Sequence, residues 1–242
     1  MASRKEQKEA LRKERLEREQ QAAQAAARKR LIGIVVASIL VLGIVGALVA
    51  VALSGGDDDG GGGNGGGDSA AAQIAYPDGG EIPDQREADL NVAAKAAGCK
   101  DETVQAAGAG EHTTDPNEPI EYQSEPPSIG AHYQEWPEDD IFEEAPPTTS
   151  VVHTLEHGRI LIWLRPDLPE EQLAQFKALY DEDPYHVIML PREQLKEPFA
   201  VTAWVGQDTG HTLRCDEVND RTWDAIRSFK EKYRDKAPEF VP

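Results

Sequence analysis

The longest apolar stretch of the chain covers residues 31–53 and reads LIGIVVASILVLGIVGALVAVAL, without a charged residue, Asn, Gln or Pro. At about 1.5 Å of rise per residue, a helix of this length crosses a hydrocarbon core of roughly 30 Å. A core helix of a soluble protein rarely lacks a polar face over this length, and a cleaved signal peptide has a shorter apolar run of about 7–15 residues. The pattern therefore predicts a retained transmembrane signal anchor.

The segments on either side of this run differ in charge. Residues 1–30 carry 10 Lys and Arg against 5 Asp and Glu and lack Gly and Pro, which predicts a basic helix on the cytoplasmic side. Residues 54–69 are rich in Gly and Asp and are typical of a flexible linker. We therefore expect a single-pass protein of the cell membrane, with a cytoplasmic N-terminus and an extracytoplasmic domain at residues 70–242.

The second half of this domain alternates between apolar runs of strand length and amphipathic runs of helix length. In chain order these are RILIWL, LPEEQLAQFKALYDED, HVIMLP, FAVTAW and DRTWDAIRSFKEKY. The order strand, helix, strand, strand, helix predicts an α+β fold with helices on one face of a small mixed or antiparallel sheet.

The first half of the domain is less regular. The segment READLNVAAKAAGCK predicts a short helix that ends at Gly98. Residues 111–150 contain seven of the 16 prolines of the chain, and proline cannot donate to an interior strand ladder. We expect this part to cross the core as an extended strap.

Charge and cysteine content narrow the functional classes. Residues 31–242 carry 15 basic and 39 acidic side chains, a formal charge of −24, which argues against nucleic acid as a partner. In an oxidising compartment Cys99 and Cys215 are expected to form a disulfide, the alternative being two free thiols. The domain has no GxSxG elbow, P-loop or dinucleotide fingerprint, so an enzyme is not favoured and no catalytic residue is assigned.

Four segments of the domain carry a family resemblance. EPPSIGAHYQEW, VVHTLEHGRILIW, HVIMLPREQL and FAVTAW are similar to the motifs of a bacterial family of membrane-anchored proteins classed as a domain of unknown function, the DUF3105 type. The likeness runs from about Gln123 to the C-terminus, and LEHG is its most specific part. This chain departs from the family pattern at Ile129, Thr154 and Val205. It keeps four side chains of chemical interest: His132, His153, Glu156 and His157.

The segment SVVHTLEHG allows two geometries. With Ser150 as N-cap and Gly158 beyond the C-terminus, a short helix would place His153 and His157 about 5–6 Å apart on one face, where they could share a metal ion. A strand would separate them by about 13 Å. The string HTLEH also matches the metalloprotease pattern of the inverzincins, but the flanking prolines and Gly158 confine any helix to about two turns, so a metal-dependent hydrolase is less favoured.

The resulting hypothesis is a transition-metal site made by His132, His153, His157 and Glu156, with zinc (Zn) or copper (Cu) as the ion. His186 and Met189 are further candidates, although Met189 also fits core packing, and His112 and His211 are expected to be solvent-exposed. In the alternative interpretation the histidines are structural and form hydrogen bonds with buried backbone groups. The domain would then be a module that binds the cell wall or an envelope protein, with Trp136 as a candidate exposed aromatic.

Overall fold

The computed structural model describes residues 73–239 and 241 of the 242-residue chain. The predicted cytoplasmic helix, membrane span and linker at residues 1–30, 31–53 and 54–69 all lie outside the described residues. Among the helices of the described part, none is long and apolar enough to cross a membrane.

Four helices and seven strands make up the described part of the chain. The helices are α1 (Leu90–Ala97), α2 (Thr148–Glu156), α3 (Glu170–Glu182) and α4 (Thr222–Tyr233). The strands are β1 (Cys99–Gln105), β2 (His112–Thr113), β3 (His132–Tyr133), β4 (Ile160–Leu164), β5 (Val187–Pro191), β6 (Phe199–Val205) and β7 (Thr209–Cys215).

Five strands form one mixed sheet in the order β1-β7-β6-β4-β5. β4 and β5 are parallel and are joined through α3, whereas the other neighbours are antiparallel. Every residue of β4 and β5 is buried, as their continuous apolar sequences predict for inner strands. The α+β fold is confirmed, and the edge strand β1 and its neighbour β7 are additional to the predicted strands.

Both faces of the sheet are covered. Ile162 points into a core shared with α1, α3 and α4, while its neighbour Trp163 points to the opposite face. There Val151 and Leu155 of α2 pack against the sheet. The expectation of helices on one face alone is therefore wrong for α2. An inner strand with apolar side chains on both sides must exclude water from both, and α2 provides the second cover.

The segment 106–147 crosses this second face, which agrees with the strap predicted at 111–150 except that residues 148–150 begin α2. The Ala106 N–H donates to Asp208 O at 2.9 Å on one side of the sheet, and the Phe142 N–H donates to Met189 O at 2.8 Å at the β5 edge. Ile129 of the strap is buried in the core on this face. The only strands of the strap among the described residues are β2 and β3, which pair in parallel outside the main sheet.

The two cysteines are joined across the β1–β7 pair. Cys99 and Cys215 face each other directly in the strand register and form a disulfide, which confirms the predicted pairing. Cys99 follows Gly98, whose left-handed φ of 73° ends α1 at the predicted position.

Candidate metal centre

The segment that carries His153 and Glu156 is helical. α2 begins after Pro147, so Ser150 lies inside the helix and is not its N-cap as predicted. At the other end Arg159 N–H donates to Thr154 O and Gly158 N–H donates to Leu155 O, each at 3.1 Å, which is the Schellman arrangement. It requires the positive φ of Gly158, 85°, as expected for the residue after the C-cap. His153 and Glu156 are thus three residues apart in the last turns of α2.

A second pair of histidines comes together through the strap. The parallel register of β2 and β3 places His112 directly beside His132, although they are 20 residues apart in sequence. Their Nε2 atoms lie 3.3 Å apart. β3 also packs against α2, which brings this pair of imidazoles onto the side of the helix that presents His153 and Glu156.

The four side chains converge on one small volume. Glu156 Oε2 lies 3.0 Å from His132 Nε2 and 3.8 Å from His112 Nε2. With one ring nitrogen of His153 included, the four donor atoms all lie within 4.8 Å of one another. Two nitrogens at the usual zinc distance of about 2.0–2.1 Å in a tetrahedral site are about 3.3 Å apart, so the spacing of the His112 and His132 nitrogens fits a shared ion.

Hydrogen bonds orient two of the rings. His132 Nδ1 lies 2.9 Å from Gly130 O, and His153 Nδ1 lies 2.7 Å from Tyr133 O. A carbonyl oxygen only accepts, so each Nδ1 carries a proton, and Nε2 is the nitrogen of each ring that can coordinate an ion. This outer support is typical of metal-ligating histidines.

The carboxylate of Glu156 is buried and incompletely satisfied. His132 Nε2 lies 3.0 Å from Glu156 Oε2, at ion-pair distance, but Glu156 Oε2 has no hydrogen-bond partner in the part of the chain described. The strap approaches the other oxygen closely, since a Cβ on Gly110 would lie 2.8 Å from Glu156 Oε1. A buried carboxylate oxygen without a partner is costly, and a cation would satisfy it.

The electrostatics keep His153 and Glu156 in the states that bind metal. Burial, reinforced by the neighbouring imidazoles, lowers the pKa of His153 from 6.5 to about 4, so its ring is neutral near pH 7. Burial opposes ionisation of Glu156, but the closeness of His132 and the other imidazoles outweighs it and holds the carboxyl pKa below its ordinary value. Neutral imidazoles and an ionised carboxylate are the forms that coordinate an ion.

His157 lies beside this group and not within it. Its ring contacts the rings of His153 and Trp136, with centroid distances of 4.6 and 4.5 Å. His157 Nδ1 is 3.9 Å from Glu239 Oε2, and both ring nitrogens lack hydrogen-bond partners among the residues described. Burial lowers the pKa of His157 as well. His112, which we expected to be exposed to solvent only, thus takes the place among the four donors that was predicted for His157.

The other candidates lie elsewhere. Met189 is buried in the core on the opposite face of the sheet. His186 Nδ1 pairs with Asp235 at 2.6 Å. His211 is not solvent-exposed as expected, because it pairs with Asp101 at 3.0 Å and stacks on the Tyr233 ring.

Most of the residues of this site lie in a segment that matches a known protein family. Residues 113–241 match the model of the family described as "Protein of unknown function (DUF3105)", which covers more than half of the chain. No curated protein and no solved structure matches the chain. The chain belongs to the DUF3105 family. The matched range includes His132, His153, Glu156 and His157, and His112 stands immediately before it.

Proposed function

We propose that this DUF3105 protein binds a transition-metal ion, zinc or copper, through His112, His132, His153 and Glu156. One observation carries the proposal. Two buried imidazoles are each fixed through Nδ1 to a backbone carbonyl, so that their Nε2 lone pairs are available beside a buried carboxylate oxygen that has no hydrogen-bond partner. Imidazole and carboxylate donors without a thiolate suit zinc or copper(II).

The alternative of purely structural histidines explains only half of this arrangement. A structural role requires only the Nδ1 hydrogen bonds of His132 and His153 to the carbonyls of Gly130 and Tyr133, and both bonds are present. A structural role does not explain why a third imidazole, that of His112, and a buried carboxylate converge on the Nε2 atoms of these two rings. An ion accounts for all four donors.

The donor count favours binding over hydrolysis. Catalytic zinc sites keep three protein ligands and leave the fourth position for water, whereas four protein donors complete a tetrahedral set. The site therefore suits holding or handling of the ion better than metal-dependent hydrolysis.

We also propose that the domain is held at the outer face of the cell membrane by a single span at residues 31–53, with residues 1–30 in the cytoplasm. The apolar run and the basic flank before it support this topology. The Cys99–Cys215 disulfide suits an oxidising compartment. The expected result is retention of the protein in carbonate-washed membranes and cleavage of the domain by protease added to intact spheroplasts. Release by carbonate, or protection of the domain, would contradict the topology.

Metal content tests the binding proposal. The purified full-length protein is stripped with chelator, loaded separately with zinc and with copper, desalted and analysed for metal by elemental mass spectrometry. We expect one ion per chain, and loss of that ion in Glu156→Gln, which keeps the shape of the side chain and removes its charge. The matched control is Glu111→Gln, because Glu111 is an exposed carboxylate of the strap and is adjacent in sequence to His112.

The outcomes separate the hypotheses. Stoichiometric uptake that survives Glu111→Gln and is lost in Glu156→Gln supports the site. No uptake by a folded, oxidised wild-type sample would return the histidines to a structural role and direct attention to partners in the cell envelope.

A further inference from the structure

The four proposed donors differ sharply in burial. His132, His153 and Glu156 are at most 5% exposed. The side chain of His112 is 44% exposed. An ion in this site would thus be enclosed by three buried donors and reached from solvent on the His112 side.

The donors also differ in how firmly they are held. His132 and His153 are each fixed by an Nδ1 hydrogen bond to a backbone carbonyl. His112 makes no such bond within the described residues, and its ring is held by a hydrogen bond between its Nε2 and His132 Nε2 and by contacts with the rings of His132 and His153. Its strand, β2, is two residues long and forms a two-stranded sheet with β3. The ring of His112 is therefore held by side chains of the cluster alone, whereas the other two rings are also bonded to the backbone.

We infer that His112 is the exchange ligand of the site: the ion enters and leaves on the His112 side, and an incoming donor replaces His112 while the buried three keep hold of the ion. This inference rests on the proposed metal site and adds how the ion moves. It assigns the domain to metal transfer, in which an acceptor supplies the fourth ligand, and not to permanent structural binding. Ligand replacement conserves charge and electrons and needs no redox partner.

Chemical rescue tests the inference. His112→Gly removes the exposed imidazole and leaves space that solvent reaches, so free imidazole is expected to replace it. The measurement is the rate at which zinc passes from the loaded full-length protein to an excess of a chromogenic chelator. We expect His112→Gly to retain zinc through the other three donors and to release it at least about tenfold faster than wild type, a change of the size that altered ligand environments produce. Millimolar imidazole is expected to slow that release toward the wild-type rate.

Glu156→Gln serves as the buried counterpart. Imidazole cannot occupy the enclosed position of a carboxylate, so no rescue is expected in that variant. Circular dichroism of both variants checks that they are folded.

The results distinguish failure of the exchange role of His112 from failure of the metal site itself. If His112→Gly loses zinc as completely as Glu156→Gln and imidazole restores nothing, the site stands and the exchange role of His112 is wrong. If His112→Gly releases zinc at the wild-type rate, His112 is not a ligand. If wild type takes up no metal, the proposed function fails and the exchange role fails with it.

Discussion

Acidification should destabilise the metal-free protein through the buried histidines, and His153 should contribute the largest part of the effect. Its pKa falls from 6.5 to about 4 on folding, because burial and the adjacent imidazoles disfavour the charged ring. Below about pH 6.5 the unfolded chain binds a proton that the folded chain does not accept until about pH 4. The free energy of unfolding therefore decreases as the pH falls through this window. His157, whose pKa is also lowered by burial, acts in the same direction.

The size of the effect follows from the shift. Each pKa unit corresponds to about 1.4 kcal/mol, so a shift from 6.5 to about 4 sets an upper limit of about 3–4 kcal/mol for His153. His112 and Trp136 are both exposed at the edge of the cluster and admit solvent to it. Solvent screening reduces the expected loss to about 1–2 kcal/mol between pH 7 and pH 4.5.

Urea unfolding of chelator-stripped protein across this pH range measures the loss. His153→Gln replaces the titrating ring with a neutral side chain that retains an N–H for Tyr133 O, and it should remove about 1–2 kcal/mol of the pH dependence. Glu111→Gln, in the strap, should leave the pH dependence close to that of wild type. Equal pH dependence in wild type and His153→Gln would refute the assignment of a buried, neutral imidazole at this position.

Three further outcomes are expected. Zinc at a hundredfold excess over its dissociation constant should raise the unfolding free energy of wild type by about 2.7 kcal/mol, as measured by urea titration. The same zinc should leave Glu156→Gln unchanged, and an equal gain in that variant would place the ion elsewhere. The double replacement Cys99→Ser/Cys215→Ser removes a disulfide between residues 116 apart in sequence. It should lower the free energy of unfolding by up to about 4–5 kcal/mol in the chain-entropy model. Reduction of wild type should produce the same shift in its urea midpoint, and an unchanged midpoint would contradict this. Thr202→Val leaves the buried Trp163 indole N–H without its acceptor, now 2.8 Å away, and should cost about 1–3 kcal/mol by thermal unfolding. Thr202→Ser keeps the hydroxyl, so an equal loss in both variants would show that the hydrogen bond is not the cause.

The sequence predicted the inner part of the fold because burial on both faces leaves a continuous apolar signal. β4, β5 and β6 occur where RILIWL, HVIMLP and FAVTAW stand. β1 was missed because CKDETVQ is polar: it is an edge strand, and edge strands carry charged residues that discourage further pairing. The position of α2 on the second face depends on how the strap crosses the sheet, and no local periodicity records that path.

The site was predicted in part for a similar reason. Helical spacing identified His153 and Glu156, and it also suggested His157, because residues four apart share a helix face. The two histidines are indeed neighbours, with ring centroids 4.6 Å apart. His157 nevertheless lies outside the group of converging donors, because its ring packs against Trp136.

The position of His112, the remaining proposed donor, depends on contacts between distant parts of the chain. His112 reaches the cluster because a two-residue parallel pairing places it beside His132, and such a short pairing leaves no recognisable periodicity in the sequence. The donors consequently come from three separate segments that meet only when the strap has closed over α2. The unfolded chain has no preformed site, so the free energy of metal binding adds to the stability of the folded domain. A protein that releases its ion through His112 would therefore give up part of that stability with each transfer. The disulfide lies in the main sheet and joins β1 to β7 whether or not an ion is bound.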